Sequence, residues 1–173
     1  MVVKPEFFTG GKDKKPIMWE QSKFNKIVTV VSGGFDPIHI GHLKYILAAK
    51  KVMSGYGGAV LVAIVNGDGF LQRKKNYVFM PQEERAEIVD HIKGVDFVMV
   101  WDDGSQFVHG ALEIIKPNIF AKGGDRHQDN MPDEELNMCE KIGTMVSYGV
   151  GGTGKLNSSS ELVNNMKRLK NSE

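Results

Sequence analysis

A chain of 173 residues that is 41% hydrophobic and 25% charged can bury a sizeable core, which excludes a wholly disordered protein. Its 22 basic and 21 acidic residues leave a formal charge of +1, without the basic excess of a protein that coats nucleic acid. One cysteine cannot close an internal disulfide, no secretory leader is recognisable, and the longest apolar run, residues 59–65, is far too short to span a bilayer. A cytoplasmic protein with neither membrane nor nucleic-acid partners is expected.

Residues 1–26 read as a polar, lysine-rich extension, partly mobile, with Phe7, Phe8 or Trp19 available to dock on the domain or on a partner. The domain itself runs from 27 to 173. Its first strand covers about 27–32, where β-branched residues favour a buried pleat, and its first helix covers about 41–53. A second strand at about 59–65 ends in Asn66-Gly67-Asp68-Gly69, a turn signal, and leaves Arg73 to Asn76 in a loop. The next helix begins near Pro81, with Glu83 and Glu84 in its first turn, and runs to Gly94. A third strand at about 95–101 leads to a helix at about 105–116, then a fourth strand at about 118–121. A helix at about 133–142 with Asp133 as its N-cap, a fifth strand at about 144–148, a glycine-rich loop and a final helix at about 160–170 complete the chain.

Strands alternating with helices predict a parallel sheet covered on both faces, an α/β doubly wound fold. Every unusual polar or glycine cluster follows a strand, so all share the carboxyl edge of the sheet, where open α/β folds bind ligands. The densest cluster is Gly33-Gly34-Phe35-Asp36-Pro37-Ile38-His39-Ile40-Gly41-His42. Backbone N–H groups in a glycine loop that opens a helix can point at an anion, and glycine lets a phosphate come close. His39 and His42 stand at i and i+3 and share a face. These two imidazoles could also ligate zinc, but a structural zinc site wants four ligands with cysteine prominent, and only Cys139 is available. No protein-held metal is expected.

The pattern G-x-F-D-x-x-H-x-G-H resembles the signature of the cytidylyltransferase-like nucleotidyltransferases, relatives of the class I aminoacyl-tRNA synthetases. The resemblance covers about residues 27–168. It implies a Rossmann-like fold with five parallel strands in the order 3-2-1-4-5. It also implies His39 and His42 as catalytic donors to a triphosphate, with Gly33, Gly34, Phe35, Asp36 and Gly41 shaping the loop. In many members a small hydroxyl residue stands where this chain has Gly34. Lys122-Gly123-Gly124-Asp125 resembles a segment of the ADP-heptose synthase adenylyltransferase domain and, more loosely, of glycerol-3-phosphate cytidylyltransferases. There the loop approaches nucleotide and second substrate. Arg126 follows where the heptose pattern has an aromatic residue, and its guanidinium can fork onto phosphate. Ser158-Ser159-Ser160 resembles the family's hydroxyl cluster at the last helix, and the alternative role for it is plain N-capping. Lys74 and Lys75 match a catalytic lysine of sugar-phosphate relatives, with Lys75 the better fit. Arg85 matches an arginine that either binds phosphate or braces the loop.

Gly149-Val150-Gly151-Gly152-Thr153-Gly154 imitates a dinucleotide fingerprint, but only 19 residues remain, too few for the rest of that unit. Gly149 to Lys155 nearly completes a Walker motif, yet Leu156 stands where a hydroxyl should hold magnesium. A loop that covers the nucleotide is the expected use of these glycines. With no covalent nucleophile suggested, the resemblance implies direct in-line transfer. A nucleoside monophosphate moves from ATP or CTP, accompanied by Mg²⁺, to a small phosphorylated sugar or polyol, and pyrophosphate leaves. A homodimer is implied as well. The alternatives are a nicotinate-mononucleotide or pantetheine-phosphate adenylyltransferase and a catalytically silent nucleotide-binding module.

Overall fold

The computed structural model describes residues 7–9, 26–52, 58–124, 126–152 and 158–170. Trp19, Asp125 and residues 153–157, to which roles were assigned above, lie outside these. Among the described residues six strands form one sheet: β1 (Phe7–Thr9), β2 (Ile27–Gly33), β3 (Ala59–Asn66), β4 (Phe97–Trp101), β5 (Ile119–Gly123) and β6 (Met145–Val150). Their spatial order is β1-β4-β3-β2-β5-β6. The last five are parallel and reproduce the expected 3-2-1-4-5 order, as the pairings of β2 with β3 and β5, β3 with β4, and β5 with β6 show. The addition is β1, which pairs antiparallel with β4, Phe8 opposite Val98. The sheet therefore draws on residues from the stretch read as an extension.

Among the described residues six α-helices accompany the sheet: α1 (Ile40–Lys51), α2 (Asp68–Lys75), α3 (Gln82–Asp90), α4 (His109–Ile115), α5 (Asp133–Ile142) and α6 (Ser159–Lys170). All eight residues of β3 are buried, as both-face coverage requires. On one face Val31, Leu61, Ala63 and Val65 pack with Ile46 and Ala49 of α1 and Ala86 and Val89 of α3. On the other, Val30, Val62, Ile64 and Phe120 pack with Phe70 and Leu71 of α2, Ala111 and Leu112 of α4 and Cys139 of α5. No helix of the described residues is long and apolar enough to cross a membrane.

The stretch after β3 corrects the sequence reading. Arg73, Lys74 and Lys75 lie in the last turn of α2, not in a loop, where cations suit the helix dipole. Asn76 closes the helix in the left-handed conformation, its N–H donating to the Gln72 carbonyl. Gly69 suggested a turn, but its glycine serves close packing: a Cβ there would come 2.3 Å from Asp102 Oδ2. The helix expected from 105 starts only at His109, because Ser105 N–H donates to Asp103 Oδ1 and Phe107 N–H to Ser105 Oγ, which holds the preceding residues in turns. Pro132, rather than Asp133, is the N-cap of α5.

Between β2 and β5 the chain changes direction. Their register holds only for Thr29–Ile119 and Val30–Phe120, whereas β2 stays paired with β3 along its full length. The two central strands thus part toward their carboxyl ends. Tyr45 of α1 bridges the gap, its hydroxyl accepting from Ser32 N–H at 3.4 Å and donating to the Ala121 carbonyl at 2.5 Å. Burial raises the Tyr45 pKa above its ordinary value, so the hydroxyl stays a donor. The crevice that this parting opens is the site of ligand binding expected of such folds.

Candidate active site

A cavity of about 440 Å³ occupies the crevice. Toward α1 and α6 it is lined by Gly33, Gly34, His39, Gly41, His42, Lys44, Gly151, Gly152, Ser158 and Ser159. Toward α2, α4 and α5 it is lined by Asn66, Phe70, Lys74, Val108, Lys122, Arg126 and Glu135. Gly123 and Gly124 lie between. Chemically these are two lobes. The first holds imidazoles, glycine backbone and hydroxyls; the second holds three cations, one carboxylate, one amide and an apolar floor.

The histidine geometry follows from helix capping. His39 is the N-cap of α1, and its Nδ1 accepts from Gly41 N–H at 3.1 Å. His42 reaches back, its Nδ1 accepting from His39 N–H at 3.3 Å. The two rings stack with centroids 3.8 Å apart, and Phe35 meets the edge of His42 at 5.1 Å. Because each Nδ1 acts as acceptor, each neutral ring carries its proton on Nε2. Burial lowers the His39 pKa, and burial first, then the charges of His39 and Lys75, pulls His42 down to about 3. Two uncharged Nε2–H donors at a cavity wall form a preset hydrogen-bonding pair for phosphate oxygens.

The rest of the loop is held from behind. Phe35 is buried with φ +50°, a backbone region uncommon for a bulky residue. Asp36 is buried and accepts from Phe79 N–H at 2.9 Å and Met80 N–H at 2.6 Å. Lys75 Nζ lies 3.3 Å from Asp36 Oδ2 and donates to the Asp36 carbonyl at 2.9 Å. It is Lys74, not Lys75, that lines the cavity. Arg85 is fully buried and donates to the carbonyls of Gly34, Asn66 and Met80 and to Asp68. Phe35, Asp36, Lys75 and Arg85 therefore brace the site in this structure rather than line it.

Ser158 and Glu161 make a capping box at α6, with Glu161 N–H donating to Ser158 Oγ and Ser158 N–H to Glu161 Oε2. Ser159 Oγ donates to the Pro37 carbonyl at 2.9 Å and ties α6 to the histidine loop. Ser160 is exposed and outside the lining. Lys122, at the end of β5, pairs with Glu135 at 3.3 Å and lies 4.4 Å over the Phe120 ring. Burial lowers the pKa of Lys122, as do Arg126 and Lys74 more weakly, while Glu135 opposes the shift. Arg126 lines the second lobe and donates to the Asn130 carbonyl at 3.1 Å.

Sequence reading missed Tyr45, Asn66, Phe70, Lys74's precedence over Lys75, and Glu135. Glu135 did leave a trace. It stands four residues before Cys139, on the stripe of α5 that faces the core, where a carboxylate is out of place unless paired.

The profile of the family described as Cytidylyltransferase-like matches residues 30–169, which span both lobes. The chain belongs to that family. It is 31% identical over 122 residues to the Bifunctional protein HldE of a Nitratiruptor species, covering 69% of this chain and 25% of the relative. It is 28% identical over 144 residues to the FAD synthase of Methanobrevibacter smithii, covering 81% of this chain and 90% of the relative. The chain thus spans about a quarter of the bifunctional relatives and most of that FAD synthase. Among solved structures it resembles the lipopolysaccharide core biosynthesis protein of Thermoplasma volcanium, with a TM-score of 0.56, 25% identity, and 71% of this chain and 93% of the other covered. It shares its fold with Thermotoga maritima TmcAL bound with alpha-thio ATP, at a TM-score of 0.60 and 15% identity over 84% of this chain and 51% of that one.

Proposed function

We propose that the protein transfers a nucleoside monophosphate from ATP or CTP to a phosphorylated, hydroxyl-bearing acceptor and releases pyrophosphate. The stacked, neutral His39–His42 pair carries this reading, because both rings line a cavity rimmed by glycine backbone and the start of α6 and both keep an Nε2–H donor free of the capping bonds made at Nδ1. The triphosphate occupies the first lobe, with its oxygens on Gly33, Gly34, Gly41, Ser158, Ser159 and Lys44. The acceptor's phosphate meets Lys74, Lys122 and Arg126 in the second lobe. One of its oxygens attacks the α-phosphorus in line, the new O–P bond forms as the bond to the β-phosphate bridging oxygen breaks, and the electron pair leaves with pyrophosphate. His39 and His42 donate to the oxygens on which charge grows, without any proton transfer being needed. The lobes supply position, which converts an encounter of two anions into a reaction within one complex.

A hydroxyl-bearing acceptor is in keeping with Asn66, which lines the second lobe and whose amide can both donate to and accept from a hydroxyl. Mg²⁺ is expected on the triphosphate oxygens, where it offsets their charge. Among the described residues no group of three or more His, Cys, Asp or Glu side chains could hold it, and Mg²⁺ is commonly bound through substrate phosphates.

A second reading has its own support. The match that covers 90% of a relative is to an FAD synthase, and the second lobe has an aromatic and apolar floor of Phe70 and Val108. A flavin phosphate is therefore an alternative acceptor, with ATP as donor. A pyrophosphate-release screen decides between them. ATP and CTP are each paired with sugar 1-phosphates, glycerol 3-phosphate and flavin mononucleotide. Turnover with a sugar or polyol phosphate and none with the flavin supports the first reading; the reverse supports the second. No pyrophosphate with any pair refutes both.

A further inference from the structure

Three cations crowd the second lobe from three elements: Lys74 from α2, Lys122 from β5 and Arg126 from the loop beyond it. One carboxylate faces them, Glu135 of α5. We propose that Glu135 is a positioning and specificity residue, which fixes Lys122 in the lobe and trims the lobe's charge to that of one phosphate monoester.

Glu135 is anchored at both oxygens. Oε1 accepts from Val108 N–H at 3.3 Å, and Oε2 accepts from Lys122 Nζ at 3.3 Å. The two side chains are among the least exposed in the site, 7% for Glu135 and 12% for Lys122. A buried carboxylate fixed to the backbone in this way cannot swing aside, so Lys122 is held over the Phe120 ring and toward the cavity. Three cations against one carboxylate leave the lobe with a net charge of about +2. A phosphate monoester near neutral pH carries about −2. Without Glu135 the excess would be about +3, better suited to a more highly charged ligand such as the leaving pyrophosphate. The carboxylate thus favours the acceptor over the product in this lobe.

The ion pair also protects the charge of Lys122. The groups facing that ammonium are Glu135 from α5, Arg126 from the following loop, Lys74 from α2 and Cys139 from α5, with the Phe120 ring beneath. Of these, Glu135 is the group that favours the proton; burial and both cations disfavour it. Losing the carboxylate should therefore make Lys122 shed its proton at a lower pH.

This inference rests on the second lobe being the acceptor side of the proposed transferase, but its test needs no turnover. Sulfate is the probe, because it stays a dianion between about pH 6 and pH 9, and calorimetry reads its affinity. Binding in this lobe is identified by its loss in Lys74→Ala. In the wild-type protein the affinity should change less with pH than in Glu135→Gln. In Glu135→Gln it should rise on the order of tenfold at pH 6, where the repelling charge is gone, and fall back by about as much toward pH 9. Glu135→Asp, which keeps the charge, should restore the wild-type profile. Glu135→Gln/Lys122→Met should be flatter than Glu135→Gln, since Lys74, a second partly buried ammonium that Glu135 also helps to keep charged, is then the lysine left in the lobe to titrate. A Glu135→Gln profile parallel to and no tighter than wild type, or a double variant as steep with pH as Glu135→Gln, overturns the proposal. Pyrophosphate release by the wild-type protein is measured separately. Its absence with every acceptor would remove the transferase reading and leave the sulfate comparison intact.

Discussion

Replacing Arg85 by lysine tests whether that arginine serves the fold or a phosphate. Its guanidinium is fully buried and makes bonds of 2.8 Å to the Met80 carbonyl, 2.7 Å to that of Gly34 and 2.6 Å to that of Asn66, with a further 2.6 Å ion pair to Asp68. These four acceptors lie on the glycine loop, the end of β3, the start of α2 and the approach to α3. One planar fork therefore joins four segments behind the cavity. An ammonium has a single nitrogen and cannot span them, so at least two bonds to a charged donor are lost. Each contributes about 1.5–3 kcal/mol, and the orphaned carbonyls stay buried, so a loss of about 3 kcal/mol or more is expected.

That is a large share of the ~5–15 kcal/mol that stabilises a typical domain, and Arg85→Ala would remove more still. The lysine variant is accordingly the one to measure. With a urea slope of about 2 kcal/mol per molar, its unfolding midpoint should fall by roughly 1.5 M. Equilibrium unfolding followed by circular dichroism reads this directly. An unchanged midpoint together with a raised KM for the triphosphate would refute the bracing role and return Arg85 to phosphate binding.

Replacing either His39 or His42 by alanine should lower turnover by about 10²–10³-fold, or ~2.7–4 kcal/mol, while the lost cap lowers stability by about 0.5–2 kcal/mol and leaves the protein folded; wild-type turnover in either variant would sink the mechanism. In the ligand-free protein the His42 ring should remain neutral at about pH 5 by nitrogen-15 NMR, because its pKa is drawn down to about 3; a value near the ordinary 6.5 would contradict the burial argument. The sign for stability follows. Between about 6.5 and about 3 the unfolded chain takes up a proton at this residue that the folded chain refuses, so stability falls with falling pH across that window and is fully present above it. Arg126→Lys should raise the acceptor's KM and leave the triphosphate's nearly unchanged, since two parallel bonds to phosphate become one; the opposite pattern would exchange the two lobes.

The parallel sheet was legible because β3 is apolar throughout and β2 nearly so, and because each is followed by glycine and polar residues at the same edge. The histidine loop was legible because a strand, a glycine pair and a helix start are local features. What escaped depends on contacts distant in sequence. Lys75 and Lys74 are neighbours with identical chemistry, and only the position of Asp36 decides that the first turns inward as a brace while the second faces the cavity. Arg73 to Lys75 read as a solvated loop because three charges and Gly69 hid the two core residues, Phe70 and Leu71, that fasten α2 to the sheet. β1 escaped because three residues paired at a sheet edge carry no period to detect.

Glycine is where the sequence misleads most instructively. Gly123 and Gly151 both line the cavity, and the sequence reading assigns the first to a loop that approaches the nucleotide and the second to a loop that covers it. Yet a Cβ on Gly123 would lie 2.7 Å from Tyr45 Cδ2, and one on Gly151, with φ +90°, would lie 3.0 Å from Tyr45 Cα. Gly123 is demanded by the tyrosine ring, and Gly151 by the α1 backbone at that residue and by its own positive φ, before any ligand arrives. Tyr45 in turn fills the gap left where β2 and β5 part, bridging Ser32 N–H and the Ala121 carbonyl. Without a large side chain there, those two backbone groups would need other partners, and an unpaired group in so buried a place costs about 1–3 kcal/mol. The crevice, the tyrosine that closes its floor, the glycine that makes room for its ring and the glycine that makes room for its helix therefore form one dependency. The phosphate-sized space above it is a consequence of how a parallel sheet that reverses direction satisfies its own backbone.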